Sequence, residues 1–298
     1  MAGSEQSCRV AAVVVTYNRM AMLRECLNAL LTQTHPVDQI LVIDNASTDG
    51  TSEMVSQHYA GSVIYDRLPE NTGGAGGFHH GIKRAYERGF DWIWAMDDDA
   101  VPEPDCLAAL FEKSDGAVPF LAPVVKHGRS GSYQLYHHKL RFDFDRIREH
   151  TLKDCDYEAL SQITPLEANA FLGLLVRRTA ISRHGLPDPE YFILYDDVDF
   201  TYRVTRGGTL GLLVANAIIN HWDNSDVVPP MRTWKAYYHV RNRILFFGKY
   251  AGLRGHVRLA LGTLRALVRY SLSTQFQLVA RGAVDGYRGL WRGHECPG

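Results

Sequence analysis

Trp92-Ile93-Trp94-Ala95-Met96-Asp97-Asp98-Asp99 decides the fold: five apolar residues run without a break into three carboxylates. An apolar run of this length reads as a strand buried on both faces, and its carboxyl end is where open α/β sheets bind ligands. Alternate side chains of an extended segment share a face, so Asp97 and Asp99 converge while Asp98 turns away, toward substrate or backbone. Clustered carboxylate oxygens suit a hard cation, Mg²⁺ or Mn²⁺, of the kind that holds a diphosphate. Acidic triplets are more often solvated surface; the strand in front of this one favours the metal.

Upstream, strand and helix signals alternate as in βαβ units over a parallel sheet. Val10 to Val15 is wholly apolar, and Met22, Leu23, Cys26, Leu27, Leu30 and Leu31 follow at helical spacing. A second strand, Gln39 to Asp44, ends in Asp44-Asn45; Ser47-Thr48-Asp49-Gly50 then caps a helix over 51–58, and a third strand covers Ser62 to Tyr65. The next segment, Asn71-Thr72-Gly73-Gly74-Ala75-Gly76-Gly77, reads as a loop leading into a helix to Arg88. It lacks the Gly-Lys-Ser/Thr of a phosphate loop, and the dinucleotide pattern begun at Gly74 meets His79 where its last glycine belongs. What remains is close approach of backbone to a bulky ligand, with a helix amino end offered to an anion, or a simple tight turn.

Downstream the pattern is weaker. A strand covers Val118 to Val125, and the polar, His- and Arg-rich stretch 126–153 reads as a mobile or substrate-covering insertion. Phe171 to Val176 restores a buried strand, and Tyr195-Asp196-Asp197-Val198-Asp199-Phe200 opens a helix to about Arg206. Acids in a first helical turn are commonly there for the dipole alone, but one carboxylate raises the pKa of its neighbour, which brings a general base nearer neutrality. A short strand, Leu210 to Val214, precedes a separate run from Ile218 to His221. A lone histidine in that place is ordinarily a packed residue.

With 298 residues, 46% apolar and 22% charged, the chain can bury a full core. No apolar run is long enough to span a bilayer and the start lacks a signal peptide's order, so a cytoplasmic address is expected. Five scattered cysteines, without a Cys-x-x-Cys pair, support neither a disulfide framework nor a zinc knuckle. The net charge of −1 hides an asymmetry: residues 231–298 hold 12 Lys/Arg against 2 Asp/Glu, or +10, leaving −11 for the rest. This tail reads as helical. Arg254, Arg258, Arg265 and Arg269 share one face and Leu261, Leu264, Val268 and Leu272 another, which fits either an anionic membrane surface or a packed bundle with a solvated Arg stripe.

Four blocks in order resemble glycosyltransferase family 2: Val13 to Arg19, Val42 to Gly50, Asn71 to Phe78 with Asp97-Asp98-Asp99, and Tyr195 to Phe200. The resemblance covers roughly the first 225 residues. It implies a mostly parallel α/β sheet of the GT-A type flanked by helices over 1–230, with a helical basic region over 231–298. It also implies donor contacts from Thr16, Tyr17, Asn18, Arg19, Asp44 (at the nucleotide base), Asn71, Gly73, Gly74, Asp97 and Asp98. Asp97 and Asp99 match metal-binding positions, and Asp197 the catalytic base, with Asp196 as the alternative. The glycine segment and intact acidic triplet look most like bacterial galactofuranosyltransferases, which places His221 as a third ligand to Mn²⁺ or Mg²⁺. Rhamnosyltransferases share much of the pattern, including a segment like Tyr237-Tyr238-His239-Val240-Arg241-Asn242. The implied activity is inverting transfer from a nucleotide-diphosphate sugar, UDP-galactofuranose or else dTDP-rhamnose, to a hydroxyl of a cell-surface glycan or polyprenyl-linked precursor. Asn169, Phe171 and Trp222 are acceptor candidates, and no nucleic-acid partner is expected. A metal-dependent phosphohydrolase and a catalytically silent nucleotide-sugar-binding module are the alternatives of other classes.

Overall fold

The computed structural model describes residues 8–114, 116–153, 157, 160–222 and 230–292. Val10–Thr16 (β1) is buried along its whole length and pairs in parallel with Gln39–Asp44 (β2) and Trp92–Asp97 (β4). Val63–Arg67 (β3) continues the sheet in parallel beyond β2. Alternation along β1 divides the core. Val10, Ala12 and Val14 face one layer with Leu23 and Leu27, while Ala11, Val13 and Val15 face the other with Phe78 and Ile82. Those layers are supplied by Met20–Leu31 (α1) and Thr51–His58 (α2) on the first side and Gly73–Glu87 (α3) on the second.

Past β4 the strands change direction. Ala100–Pro102 (β5), Cys106–Phe111 (α4) and Phe120–His127 (β6) come next in the chain. Then His138–Asp143 (β7), Arg148–Thr151 (β8), Ile163–Leu166 (β9), Ala168–Asn169 (β10) and Leu172–Arg177 (β11) follow. After Arg178–His184 (α5) and Asp196–Thr205 (α6), Gly211–His221 (β12) completes the sheet. Its order is β3-β2-β1-β4-β11-β6-β12-β5, with β9 also on β12; β11 runs antiparallel between β4 and β6. The stretch 126–153, expected to be a mobile or substrate-covering insertion, ends β6 and supplies β7 and β8 of a small sheet of order β10-β7-β8. The two runs expected at 210–214 and 218–221 are one strand, whose register against β6 shifts between Val214 and Ile218. A bulge breaks the alternation that would have joined them in the sequence.

The tail forms Lys235–Tyr250 (α7), Leu253–Tyr270 (α8) and Phe276–Arg292 (α9). It does not stand apart. Val240, Ile244, Phe246, Phe247, Leu259, Val279 and Ala283 share one buried cluster with Phe142 and Ile147 of the small-sheet hairpin and Val198 of α6. The leucine face singled out in the sequence does not pack on the rest of the fold: Leu261, Leu264, Val268 and Leu272 are all exposed. Among the described residues no helix is long and apolar enough to cross a membrane. Cys8, Cys26 and Cys106 are free thiols; Cys155 and Cys296 lie outside the described residues.

Candidate functional site

The carboxyl ends of β1 and β4, the amino end of α3 and the loop before α6 enclose a cleft of about 680 Å³. Thr16, Tyr17, Arg19, Asn71, Gly73, Gly74, Phe171, Asp97, Asp98, Asp99, Asp196, Asp197 and His221 all line it, although they come from distant parts of the chain. Asn18, Asp44, Asn169 and Trp222 do not. Asn18 supports the adjoining turn: it has φ 52°, its N–H donates to Ser47 Oγ and its Oδ1 accepts from Thr48 N–H at 2.7 Å. Asp44 is fully buried behind the cleft, accepting from Ser47 N–H at 2.9 Å and from the Tyr65 hydroxyl. The expectation for Asn169 needs correction: it is fully buried, its Oδ1 paired with His138 Nδ1 at 2.6 Å and its Nδ2 donating to Ala170 O, so nothing of it reaches an acceptor. Trp222 packs by Gly128, away from the cleft, with its N–H on the Asp99 carbonyl.

The glycine segment also behaves differently from the expected loop. Helix α3 starts at Gly73, so four glycines lie within its first turns. A side chain at Gly77 would strike Val15, one at Gly81 would strike Val13, and one at Gly73, where φ is +73°, would strike the Phe192 carbonyl. These glycines let the helix sit directly on β1. Only Gly74 has open space above it. The expected offer of the helix amino end to an anion is partly taken, because Ala75 N–H donates to Phe192 O at 3.1 Å.

Within the acidic triplet Asp97 ends β4 while Asp98 and Asp99 lie in the turn after it, so strand alternation does not govern them and both face Arg19. Asp98 accepts from Thr16 Oγ1 at 2.7 Å and from Arg19, tying β4 to the loop after β1. Burial and the neighbouring Asp99 push its carboxyl up to about 6, against the pull of Arg19. Burial likewise raises Asp97 well above the usual carboxylate range, with Asp99 and Asp98 adding to the effect. Asp99 is the exception: burial would raise it, but His221 and Arg19 hold it below its ordinary value.

A hard divalent cation fits this donor set. Asp99 Oδ1 is buried without a hydrogen-bond partner and faces His221 Nε2 at 3.5 Å. His221 Nδ1 lies 3.1 Å from Gln134 Oε1, so a proton held there leaves Nε2 on the Asp99 side of the ring. A proton on Nε2 makes the pairing that holds Asp99 down, and a cation would take that proton's place. No preformed cluster of three ligating His, Cys, Asp or Glu residues exists among the described residues, so the set is complementary in chemistry without being closed in geometry.

The second acidic pair is built in a different way. Asp196 and Asp197 open α6, and Tyr195 before them has φ 70°, Leu194 66° and Phe192 63°. Left-handed backbone at three bulky residues is strained, so something must hold it. Asn242 does. Fully buried on α7, its Nδ2 donates to the carbonyls of Tyr191, Ile193 and Leu194 at 3.0, 2.7 and 2.9 Å, while Arg241 donates to Glu190 O. Burial raises Asp196 well above the carboxylate range, further raised by Asp197. Asp197 is pushed up by burial to about 6, held there by the Val198 N–H and by Lys139. Burial therefore raises both members of the pair, Asp196 with Asp197 adding to the effect and Asp197 against the pull of the Val198 N–H and Lys139.

Several cleft residues had no signal in the sequence. His137, just ahead of β7, is half-buried in the lining with its ring 5.6 Å from that of His221, and its Nε2 is buried without a hydrogen-bond partner among the described residues. Phe192, Trp234, Lys235 and Tyr238 form the wall beyond Asp197, where Phe192 and Tyr238 stack at 5.0 Å. The Tyr-Tyr-x-x-Arg-Asn segment had drawn notice only as a resemblance, and its asparagine is the clamp described above.

Residues 11–165 match the family described as Glycosyl transferase family 2. The chain is 30% identical over 230 residues to galactofuranosyltransferase GlfT1 of Mycobacterium tuberculosis, covering 74% of this chain and 73% of that protein. It is 29% identical to GlfT1 of Mycolicibacterium smegmatis over 67% of this chain and 66% of the relative. Among solved structures, GalNAc-T7 with UDP, GalNAc and Mn²⁺ superposes with a TM-score of 0.61 at 14% identity, covering 94% of this chain and 55% of that one. The mannosyltransferase PcManGT of Pyrobaculum calidifontis, with GDP-Man and Mn²⁺, gives 0.53 at 20% identity over 94% and 87%. The strand order, the acidic groups at the strand ends and these matches agree: the chain belongs to glycosyl transferase family 2, a glycosyltransferase with the GT-A fold.

Proposed function

We propose that the chain catalyses inverting transfer of galactofuranose from UDP-galactofuranose to a hydroxyl of a cell-surface glycan or polyprenyl-linked precursor, working on the cytoplasmic side. The observation that carries this reading is one cleft in which His221 and Arg19 hold Asp99 below its ordinary value while burial raises Asp197 to about 6. The similarity to mycobacterial galactofuranosyltransferases supports the choice of sugar.

In this reading residues 1–230 are the catalytic domain and 231–298 the helical region that braces it. Thr16, Tyr17 and Arg19 bind the nucleotide end of the donor together with Asn71, Gly73 and Gly74, and Asp44 supports the base end from behind through Ser47. Asp98 fixes Thr16 and Arg19 in place. Asp97, Asp99 and His221 would hold Mn²⁺ or Mg²⁺, which would supply charge compensation to the departing diphosphate. Asp197 accepts the acceptor's proton as the hydroxyl attacks the anomeric carbon from the face opposite the diphosphate. Asp196, beside it at the same helix start, is the alternative base. Phe171 lines the same cleft as an apolar contact for the acceptor.

The test is a thermal-shift screen with Mn²⁺ across UDP-galactofuranose, dTDP-rhamnose and common UDP-hexoses, followed by transfer to synthetic glycan acceptors. Stabilisation by UDP-galactofuranose and acceptor-dependent release of UDP are expected. A larger shift with dTDP-rhamnose would replace the donor. Donor breakdown at one rate with and without acceptor would mark a phosphohydrolase, and binding without turnover a silent module.

A further inference from the structure

Helix α8 has two apolar faces, and the fold uses only one. Gly255, Leu259 and Thr263 turn inward, with Gly255 against the Phe144 carbonyl and Thr263 Oγ1 3.3 Å from the Tyr287 hydroxyl. Leu253, Val257, Leu261, Leu264 and Val268, with Leu272 just past the helix end, recur at steps of four, four, three, four and four. They point outward: exposure runs from 49% at Leu261 to 82% at Leu253, and Leu272 is fully exposed. Single exposed apolar residues are ordinary, but six in helical register make a continuous stripe that water covers at a cost.

The stripe has a charged border. Arg254, Arg258, Arg265 and Arg269 each follow a stripe residue by one position, so they lie side by side along one edge, all exposed, and α8 contains no acidic residue. Arg258 already donates to the Asp145 carbonyl at 2.6 Å, and Arg254 lies near Asp143 and Asp145. Arg265 and Arg269 are farther along the helix.

We propose that this face of α8 docks the chain on an anionic lipid surface, with the leucine and valine stripe at the headgroup boundary and Arg265 and Arg269 on headgroup phosphates. The border selects the occupant. A second copy meeting this face about a twofold axis would bring arginine band against arginine band without an acid on either helix, whereas a phosphate-bearing surface supplies the countercharge and takes up the stripe. The inference does not depend on which sugar is transferred.

The test uses the whole chain with phosphatidylcholine vesicles, with or without phosphatidylglycerol, read by co-sedimentation. Binding only to the phosphatidylglycerol vesicles, weakening with salt, is expected. Leu264→Asp/Val268→Asp should lower the bound partition by at least about tenfold, and Arg265→Glu/Arg269→Glu by a similar factor with loss of the salt dependence. Both variants should melt at the wild-type temperature and keep the donor-induced thermal shift, which separates this outcome from failure of the proposed transfer. No sedimentation of the wild-type chain, or unchanged sedimentation of Leu264→Asp/Val268→Asp, overturns the proposal. So does a vesicle-free dimer in light scattering that the same variant breaks.

Discussion

The two acidic groups of the cleft are made of the same residue, and only the triplet contains a carboxyl, that of Asp99, held below its ordinary value. The triplet after β4 lies among cationic or hydrogen-bonding partners: Arg19 reaches both Asp98 and Asp99, Thr16 holds Asp98, and His221 stands across from Asp99. The pair opening α6 has no such neighbour in direct contact among the described residues; Asp197's own hydrogen bond comes from the Val198 N–H at 2.7 Å, and Lys139 acts on it only through space. Burial is common to both groups, so the difference at Asp99 comes from the imidazole and guanidinium that face it together. Asp98, with Arg19 but without the imidazole, is still raised to about 6, and Asp197, given burial and weaker compensation, is raised as far and suits acid-base work.

The sharpest way to break this comparison is to neutralise the second group. Asp197→Asn should lower kcat by about 10²–10⁴-fold, the usual contribution of a general base, and the thermal shift expected from UDP with Mn²⁺ should match that of the wild type. Retained turnover would move the base to Asp196. On the first group, Asp99→Asn and His221→Ala should each weaken Mn²⁺ at least about tenfold in a calorimetric titration, with the Asp197 side untouched. An unchanged titration for His221→Ala would return that histidine to a packing role.

A milder perturbation acts on the clamp between them. Asn242→Ala removes donors to three carbonyls of the strained loop and should cost about 1–3 kcal/mol of stability in a denaturant titration. It should lower kcat by about tenfold with little change in donor affinity, because the loop it holds carries the base and not the nucleotide contacts. A loss of donor binding equal to the loss of kcat would show that the clamp supports the whole cleft. The smallest expected effect is on the pH profile. Asp197 must be ionised to accept a proton, so kcat should fall as pH drops through about 6 and level off above it. A flat profile from pH 5 to pH 8, assayed with saturating metal, would separate the raised carboxyl from catalysis.

The first hundred residues were legible because their structure is local and periodic. Strands β1, β2 and β4 each hold a contiguous apolar run, α1 carries a plain 3.6-residue pattern, and the acids stand at strand ends where parallel sheets place their ligands. The second half hid its structure in long-range pairings. Strand β7 is His-Lys-Leu-Arg-Phe-Asp, half polar because only one side of the small sheet packs, and its partners β8 and β10 are too short to announce themselves. His137 and Lys139 were missed for that reason. The glycines of 73–77 read as a close approach to a ligand or a tight turn, but Gly73 and Gly77, with Gly81 beyond them, are spacers between a helix and other parts of the fold, a distinction visible only once Val13, Val15 and Phe192 are in place. Asn242 was in plain view, and nothing in one chain says that an asparagine on α7 will meet carbonyls some fifty residues earlier.

That contact has a consequence for the order in which the protein comes to life. The ends of β1 and β4 and the amino end of α3 are complete by residue 99, yet the loop before α6 is set only when residue 242 arrives to hold it. On a ribosome, where chains fold from the amino end, the growing polypeptide therefore carries its acidic triplet long before it can fix the second acidic pair. In the proposed reading, a chain still lacking α7 has no hold on its base.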